Sequence, residues 1–481
     1  MWPFRQARAP RKAILARFDS AQTTADNRKH WINADLLSAD AAASPEIRSR
    51  IRSRARYEVA NNSYARGIVL TLANDTIGTG PRLQMATGAA ATDRLIEKEF
   101  GSWVDEVGLS EILRTMRMAR AQDGEAFALL ATNPLYQHPI KLSVRPIEAD
   151  QVTTPDFSSL QINAVDGIVF DPYGNPSQYH VLRVHPGAMV AFPADYQRIQ
   201  ARYMIHWFRA DRPGQSRGLP DILPALPLFA QLRRYTLAVI AAAESAADIA
   251  VVMKTNTPAG GEAAEVSPMA KMEFQQRMAV FAPEGWEPTQ LKAEQPATTY
   301  EMFKKEILNE IARCLNMPYN VAAGNSSSYN YASGRLDHQT YYKSIAVDQR
   351  HCEAVVLDRI LAAWIEEATP VYGLELIGVP GHQWFWDGHE HVDPQKEATA
   401  QAQRLASNTT TLAAEYARQG LDWEEQLEQR ARELEVMRKL GLPAPGAAPA
   451  VTEDQPEDES EEEPEEDPAE ADTIEENDDA E

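Results

Sequence analysis

The stretch Thr298-Thr299-Tyr300-Glu301-Met302-Phe303-Lys304-Lys305-Glu306-Ile307-Leu308-Asn309-Glu310-Ile311-Ala312-Arg313-Cys314-Leu315-Asn316-Met317-Pro318 decides the fold. Thr298 and Glu301 form the capping-box pattern that begins a helix. Apolar side chains then recur at helical spacing along one stripe, which consists of Tyr300, Phe303, Ile307, Leu308, Ile311 and Leu315. Pro318 ends the pattern, because proline cannot continue a helix. The sequence therefore predicts a long amphipathic helix over 298–318.

Another long helix precedes this one, and a small module separates the two. The earlier helix is predicted to begin near Leu228, after three prolines, and lies within 219–254. Its alanine-rich face permits close approach of a neighbouring helix. Between 255 and 297 prolines and glycines break the pattern repeatedly, which indicates an inserted module with one helix at Met269–Met278.

Downstream of the decisive stretch the pattern alternates again. A polar loop runs from Ala323 to Arg335, and a long helix is predicted from Leu336 to Ala368. An aromatic strand at 383–386 follows. Residues 393–440 are then predicted to be helical with an interruption at Gly420.

The first 215 residues have the pattern of an α+β region. Two helices are predicted between Ile47 and Ile77, and two more within 92–120. A strong turn at Asp171–Pro176 joins two of the predicted strands. These strands are Glu125–Ala131, Lys141–Pro146, Gly167–Phe170, Gln178–Val184 and Tyr203–Phe208. We therefore expect an α+β fold that is mainly α.

Charge is distributed unevenly along the 481 residues. Residues 451–481 contain 18 Asp and Glu and no Lys or Arg, and removing these 18 charges from the net −23 leaves −5. Such an acidic tail repels itself and is predicted to be disordered. Residues 1–56 have the opposite excess, 12 Lys and Arg against 5 Asp and Glu. The near-neutral body is expected to form roughly two to four structural modules.

Motifs disfavour several other classes of protein. The sequence lacks a Gly-x-x-x-x-Gly-Lys-Ser/Thr phosphate loop, a Gly-x-Ser-x-Gly elbow and a His-Glu-x-x-His pair, so neither an enzyme nor a cofactor is expected. The most apolar run, Leu237–Val252, contains Glu244 and Asp248 and is too short and charged to span a bilayer. Cys314 and Cys352 are expected to be buried free thiols, and we expect a protein made and used in a cytoplasm.

Two charged clusters leave their roles open. Histidines and carboxylates gather around 382–393 without the spacing of a ligand template, so a metal is not expected there; they are His382, Asp387, His389, Glu390, His391 and Asp393. Trp384, Phe385 and Trp386 beside them are expected to form a core or interface strand. A row of evenly spaced arginines is predicted to bridge subunits or to stay solvated, with DNA contact as the alternative; it comprises Arg48, Arg50, Arg52, Arg54 and Arg56.

Four segments carry a family resemblance when they are taken in order. They are Arg54–Ala65 with Thr76–Gly80; His206–Pro220; Tyr300–Pro318 with Tyr329–Arg335; and Asp393–Ala398 with Thr409–Leu412, Gly420 and Asp422–Glu424. In this order and spacing they resemble the portal proteins of tailed bacteriophages, in the family typified by phage lambda. Each segment alone is a weak string, but together they span most of the chain.

The resemblance implies a ring subunit divided into wing, stem, clip and crown. The implied parts are a basic N-terminal arm at 1–45, a wing at 46–218, stem helices at 219–254 and 298–318, a clip at 255–297 between them, a tunnel loop at 319–335, a long helix and return to the wing at 336–392, crown helices at 393–442, and an acidic tail at 443–481. The order of helix, insert, helix and loop, inferred from the residues alone, agrees with this division.

The resemblance also implies a function without covalent chemistry. A dodecameric ring at one capsid vertex would form the channel for packaging and ejection of double-stranded DNA. Its implied partners are the terminase large subunit, a head–tail adaptor, and the major capsid and scaffold proteins, with no membrane involved. The implied location is the virion, and the host cytoplasm during assembly. The other hypotheses are a different capsid-associated head–tail adaptor, which leaves the helix order unexplained, and a metal-dependent DNA-processing enzyme, which no motif favours.

The polar loop supplies the candidates for contact with DNA in the channel. They are Asn325, Ser326, Ser327, Ser328, Tyr329, Asn330, Tyr331 and Arg335. Lys304 and Lys305 on the preceding helix are further candidates. A channel in which DNA slides suits few cations, since every neutralised phosphate adds affinity. The alternatives are a solvated loop and a solvated helix face.

Overall fold

A computed structural model describes residues 27–154, 163–188, 195–247, 251–255, 286–290, 297–327, 330–388 and 394–442. The chain divides into two compact units, Met1–Asp422 and Trp423–Glu481. The predicted helix at Met269–Met278 and the acidic tail lie outside the described residues. Among the described helices, none has the length and apolarity needed to cross a membrane.

Helices make up most of the described residues in both units. In the first unit they are α1 (Ala39–Ala42), α2 (Pro45–Asn61), α3 (Ser63–Ile77), α4 (Ala90–Val107), α5 (Leu109–Asp123), α6 (Leu226–Ala247), α7 (Ala297–Arg313), α8 (Tyr319–Ala323), α9 (Tyr331–Cys352), α10 (Asp358–Tyr372), α11 (Pro394–Ala406) and α12 (Leu412–Arg418). A π-helical turn, Glu353–Leu357, joins α9 to α10. In the second unit, α13 spans Trp423–Leu440 and has an ion pair between Lys439 and Glu435 at 2.8 Å.

Short antiparallel sheets accompany the helices. The strands are β1 (Arg82–Ala86), β2 (Glu125–Thr132), β3 (Leu142–Ile147), β4 (Ala164–Val165), β5 (Ile168–Phe170), β6 (Pro176–Leu182), β7 (Tyr196–Gln200), β8 (Met204–Phe208), β9 (Val251–Thr255), β10 (Trp286–Gln290) and β11 (Gly381–Phe385). They form a three-stranded sheet β3-β2-β8, a four-stranded sheet β4-β5-β6-β7, and the pairs β1-β11 and β9-β10. The chain is therefore a mixed α+β fold, as the sequence predicts.

Caps explain where several helices begin and end. The Ser44 hydroxyl accepts the N–H of Ile47 at the start of α2, and the Asn62 side chain accepts two N–H groups at the start of α3. These are the residue types preferred at helix N-caps, since they satisfy otherwise unpaired N–H groups. Gly108, in the left-handed region, separates α4 from α5.

Two large apolar clusters hold the first unit together. One packs α4, α5 and α10 against the sheet β3-β2-β8 and centres on aromatic side chains. There the Phe100 ring lies 5.4 Å from those of Trp103 and Trp364, and Trp103 Nε1 donates to the Leu142 carbonyl at 2.9 Å. Trp384 of β11 joins this cluster. The expectation of a core strand at the aromatic segment is confirmed for β11.

The other cluster is helical and lies next to the decisive stretch. It combines side chains from α2, α3, α6, α7, α8 and α9. Ile307, Leu308 and Ile311 of the predicted stripe are buried in it. From Ile307 onward the stripe is a core face, as expected for an amphipathic helix, whereas Phe303 is 48% exposed. The same cluster fixes both helices that flank the predicted polar loop.

Element boundaries differ from the predictions at three places. The helix expected over 298–318 ends at Arg313, because Asn316 adopts a left-handed conformation with φ 52° and reverses the chain before Pro318. The loop expected to reach Arg335 ends at Asn330, whose carbonyl accepts the N–H of Gly334 and begins α9.

The helix expected to fill 219–254 is also shorter than predicted. It ends at Ala247, and Val251–Thr255 forms β9, paired antiparallel with Trp286–Gln290. The β-branched pair Val251 and Val252 favours a strand, and the partner strand lies beyond the range that a local pattern can detect. Both strands fall within or beside the predicted inserted module.

The prediction that the arginine row bridges subunits or stays solvated is wrong for Arg48, Arg52 and Arg56. Side chains two residues apart in the sequence divide between two faces of α2. Arg48, Arg52 and Arg56 face inward and pair with carboxylates of the same chain. Arg50 and Arg54 are exposed.

Glu125 is the centre of the inward-facing network. Arg52 donates to it at 2.6 Å, Arg217 at 2.7 Å, and the N–H of Gly218 at 3.1 Å. His206 Nε2 lies 2.9 Å from its second oxygen. Since Glu125 and Arg217 are both fully buried, the pair can be accommodated only with its hydrogen bonds complete.

Arg217 and the remaining arginines extend this network across the fold. Arg217 also donates to the carbonyl of Val152 at 3.0 Å and to the carboxylate of Asp166 at 3.0 Å. Arg48 pairs with Asp166 as well, and Arg56 pairs with Asp123 at 2.7 Å. The network therefore ties α2 to both of the larger sheets and to the chain that follows β8.

We expect Arg217→Ala to lower the free energy of unfolding by about 3–5 kcal/mol, because it leaves the buried carboxylate of Glu125 without its main partner. The matched control is Arg183→Ala, which removes an exposed pair with Asp195 and should cost less than ~1 kcal/mol. Urea unfolding followed by circular dichroism measures both. Equal losses in the two variants would contradict a dominant role for the buried network.

The same network makes stability depend on pH in a defined direction. Burial opposes the charge of Glu125, but Arg217, the hydrogen bond from His206 and Arg52 outweigh burial and hold the pKa of Glu125 well below its usual range. A depressed folded-state pKa stabilises the fold above the unfolded pKa of about 4.3, and this contribution is lost as pH falls through the folded value. Wild-type unfolding free energy should therefore fall more steeply on acidification below that pH than that of Glu125→Gln. Parallel pH curves from denaturant titrations would refute this.

Candidate functional site

The predicted polar loop is a short segment between two anchored helices, and its described residues are exposed. We call residues Gly324–Asn330 the polar segment. It begins where Gly324, with φ 63°, ends α8, and it stops where Asn330 begins α9. Asn325, Ser326, Ser327 and Asn330 are exposed. Ser328 and Tyr329 lie outside the described residues.

Tyr331 and Arg335 belong to the first turns of α9 instead of to the loop. The side chain of Tyr331 is outside the described part of the structure. Arg335 is exposed, and the described residues offer it no ion-pair partner. Arg335 is the fifth residue of α9 and follows Asn330, the last residue of the polar segment, by five positions.

Lys304 and Lys305 lie against tyrosine rings on α7 and on the neighbouring helices α3 and α8. The Lys304 ammonium is 5.0 Å from the ring centroid of Tyr64 and 5.6 Å from that of Tyr300. The Lys305 ammonium is 5.5 Å from the ring of Tyr319. Both side chains are half-buried, so the helix face is neither freely solvated nor an open row of cations. Such cation–π contacts stabilise partly exposed sites modestly.

These contacts link α8, which leads into the polar segment, to α7. Tyr319 is the first residue of α8, and Ala322 of the same helix is buried in the helical cluster. Lys305 of α7 therefore also contacts α8. On the other side, Tyr341 of α9 donates its hydroxyl hydrogen to Asp75 of α3 at 2.6 Å. Burial and the Asp75 carboxylate raise the pKa of Tyr341, so its hydroxyl keeps the proton.

A buried arginine pair anchors α9 further along. Arg117 of α5 donates to Asp221 at 2.9 Å and to Asp348 at 2.8 Å, and Arg120 donates to Asp348 at 2.9 Å. The Arg120 guanidinium lies over the Trp207 ring, 5.2 Å from its centroid. α9 is therefore fixed to α5 and to the chain entering α6.

Asn320 and His338, whose side chains are linked to the polar segment by hydrogen bonds, were not predicted from the sequence. Asn320 Nδ2 lies 3.3 Å from Ser326 Oγ and 3.0 Å from His338 Nε2. Asn320 follows a proline and a tyrosine, and His338 stands alone on a polar stretch of helix. Neither position carries a motif, so only the return of the chain between α8 and α9 reveals them.

Possible metal ligands come together at Glu148, Asp150 and His185 among the described residues. The Arg56 guanidinium already lies 2.7 Å from Asp150 and 3.5 Å from Glu148. A cation in that position makes the cluster an ion-pair network instead of a vacant metal site. In the other cluster, His382 Nε2 is 3.1 Å from Asp358, while His389, Glu390, His391 and Asp393 lie outside the described residues.

The cysteines have no reactive environment. Both are free thiols, and Cys352 is fully buried whereas Cys314 is half-buried. Burial raises the pKa of Cys314 to about 11, so it stays protonated. The expectation of free thiols is confirmed, with Cys314 less buried than predicted.

Comparisons with known proteins identify a family that matches most of the chain. The family described as phage portal protein, lambda family, matches residues 25–349. A probable portal protein of Halomonas phage phiHAP-1 is 25% identical over 431 residues, which cover 82% of this chain and 82% of that protein.

Two solved structures are similar at low identity. The neck of an empty gene transfer agent particle has 13% identity over 75% of this chain and 91% of that chain, with a TM-score of 0.45. An HK97-family phage portal protein from Corynebacterium diphtheriae has 12% identity over 71% of this chain and 100% of that chain, with a TM-score of 0.30.

The family match defines the class as phage portal proteins, which are structural components of the head–tail connector rather than enzymes. Within that class, the chain belongs to the lambda family of phage portal proteins.

We expect Lys304→Met to lower the free energy of unfolding by about 0.5–1 kcal/mol, since it removes the cation from Tyr64 and Tyr300 but keeps an apolar stem. Lys343→Met on the exposed side of α9 is the control and should stay within about 0.5 kcal/mol of wild type. Thermal unfolding of the two variants side by side measures the difference. A Lys304 effect no larger than that of Lys343 would mean that the ring contacts contribute nothing.

Proposed function

We propose that the chain forms a dodecameric ring at one capsid vertex and that double-stranded DNA passes through this ring during packaging and ejection. Family membership over 25–349 supports the proposal. The observation that carries it is the exposure of residues 324–327 and of Asn330 between α8 and α9, which are both anchored in the helical core. An exposed polar loop on a rigid support is suited to touch a moving ligand without deforming.

The chemistry of the polar segment fits a sliding contact. Asn325, Ser326 and Ser327 offer neutral donors, and Arg335 offers one cation per subunit beside them. Neutral donors can exchange among phosphates at low cost, whereas many cations would bind DNA tightly and hold it. We propose that these residues, together with Ser328, Tyr329, Asn330 and Tyr331, contact the DNA backbone.

Lys304 and Lys305 are proposed as a weaker part of the same lining. The Lys304 ammonium lies against the rings of Tyr64 and Tyr300 and the Lys305 ammonium against that of Tyr319, and both side chains are partly exposed. We further propose the division into wing, stem, clip, tunnel loop and crown at the residue ranges predicted from the sequence.

The proposed partners follow from the position of such a ring. During packaging it would dock the terminase large subunit, and the major capsid and scaffold proteins would surround it. After packaging a head–tail adaptor would bind. The corresponding locations are the host cytoplasm during assembly and the virion afterwards. Nothing in the described geometry favours the adaptor or nuclease alternatives.

Electron microscopy of the purified full chain tests the ring. We expect end-on class averages with about twelve-fold symmetry and an open centre, since portal subunits close into a ring. Monomers or small closed oligomers that persist with capsid and scaffold proteins present would overturn the proposal.

Charge reversal in the proposed lining tests DNA passage. Arg335→Glu should reduce the number of DNA-filled, nuclease-resistant particles by about tenfold or more, since it adds a repelling charge to each subunit beside the phosphates. The matched control is Arg145→Glu on the exposed side of β3, and the assay is complementation of a producer that lacks its own portal gene. Equal yields for the two variants, with rings intact, would remove Arg335 from the channel.

A further inference from the structure

Asn320 hydrogen-bonds to three residues in two parts of the chain, the polar segment and α9. Its main-chain oxygen accepts the N–H of Asn325 at 3.0 Å. Its side-chain nitrogen lies 3.3 Å from Ser326 Oγ and 3.0 Å from His338 Nε2. An amide NH₂ has two hydrogens, and this geometry gives each of them one acceptor. One residue of α8 therefore holds two consecutive residues of the polar segment and one residue of α9.

The other end of this arrangement is fixed to the core. The His338 ring lies 5.7 Å from that of Tyr342, which lies 5.8 Å from the ring of Tyr341. Tyr341 is buried and bonded to Asp75. On the side of α8, Tyr319 contacts Lys305 and Ala322 is buried. Neither Asn320 nor His338 can therefore follow the polar segment if it moves.

We propose that Asn320 and His338 form a clasp that sets the position of the polar segment, so that they are positioning residues for the DNA contact. That the clasp serves DNA contact rests on the proposed function, whereas the clasp as a structural link does not depend on that function. The clasp closes the chain between the last turn of α8 and the first turns of α9. Within the polar segment, the N–H of Ser327 donates to Asn325 Oδ1 at 2.9 Å and forms a local turn.

Because an amide nitrogen can only donate, His338 Nε2 accepts from Asn320 in the tautomer whose ring proton is on Nδ1. The acceptor, rather than the ring, is the feature that the clasp needs. His338→Phe keeps an aromatic ring beside Tyr342 but removes the acceptor. His338→Gln loses the ring and restores an acceptor at the end of a side chain. The two substitutions separate a hydrogen-bonding role from a packing role.

Hydrogen exchange measured by mass spectrometry on the full-length ring tests the clasp directly. Asn320→Ala and His338→Phe should each make the amides of 324–327 exchange about tenfold faster, the factor expected for loss of one ordinary hydrogen bond. His338→Gln should return exchange toward wild type, and the control Gln339→Ala, an exposed neighbour on α9, should not change it. Unchanged exchange in Asn320→Ala and His338→Phe, or an equal increase in His338→Gln, would overturn the clasp.

A parallel assay of DNA-filled particles distinguishes failure of the clasp from failure of the proposed function. Faster exchange with fewer filled particles supports both the clasp and its role in DNA passage. Faster exchange with wild-type particle numbers keeps the clasp but removes the polar segment from DNA passage. Fewer filled particles with unchanged exchange would reject the clasp, since the loss would then arise elsewhere. Ring formation by electron microscopy and the thermal midpoint of each variant exclude misfolding as the cause.

Discussion

The buried carboxylate of Glu125 is the constraint on which the rest of the structure depends. Ionised and out of reach of water, it requires donors from every side, and they come from α2, from β8 and from the chain after β8. Gly218 completes the set, and a side chain there would collide with the carbonyl of Gly124, 2.0 Å from the added carbon. Segments distant in sequence can meet at this point in only one way, so the carboxylate fixes the arrangement of the sheets and of α2.

A series of buried contacts connects the surroundings of Glu125 to the polar segment through α5 and α9. α5 begins in the aromatic core, ends next to Glu125, and carries Arg117 and Arg120, which hold Asp348 of α9. α9 in turn places His338 and Arg335 at its exposed beginning. The polar segment is thus supported by side chains that are deeply buried, although its described residues are exposed. A contact surface with this support can be polar without being loose.

Features that depend on local sequence pattern were predicted from the sequence. Features that depend on contacts between segments distant in the sequence were not. The strand pair around the Asp171–Pro176 turn and the apolar stripe of α7 follow from spacing and turn chemistry, and both are present in the structure. The inward side of α2 was not predicted. Arginines on a helix have the pattern of a solvated face, and the carboxylates that pair with them belong to residues 123–166, far away in the sequence. Asn320 and His338 were missed for the same reason, since their hydrogen bond joins two helices whose approach no local pattern encodes.

The π-helical turn at Glu353–Leu357 has a consequence for how this family can vary. It adds one residue to a turn of the long helix, and Glu353 and Asp358 on either side accept the indole N–H groups of Trp386 and Trp384. Removal of a single residue would rotate everything beyond it by about 100° relative to α9. Trp364 would then leave the aromatic core. The turn therefore sets the angular phase between the half of the helix that supports the polar segment and the half that holds the aromatic core, and insertions or deletions between them are tolerable only in whole turns.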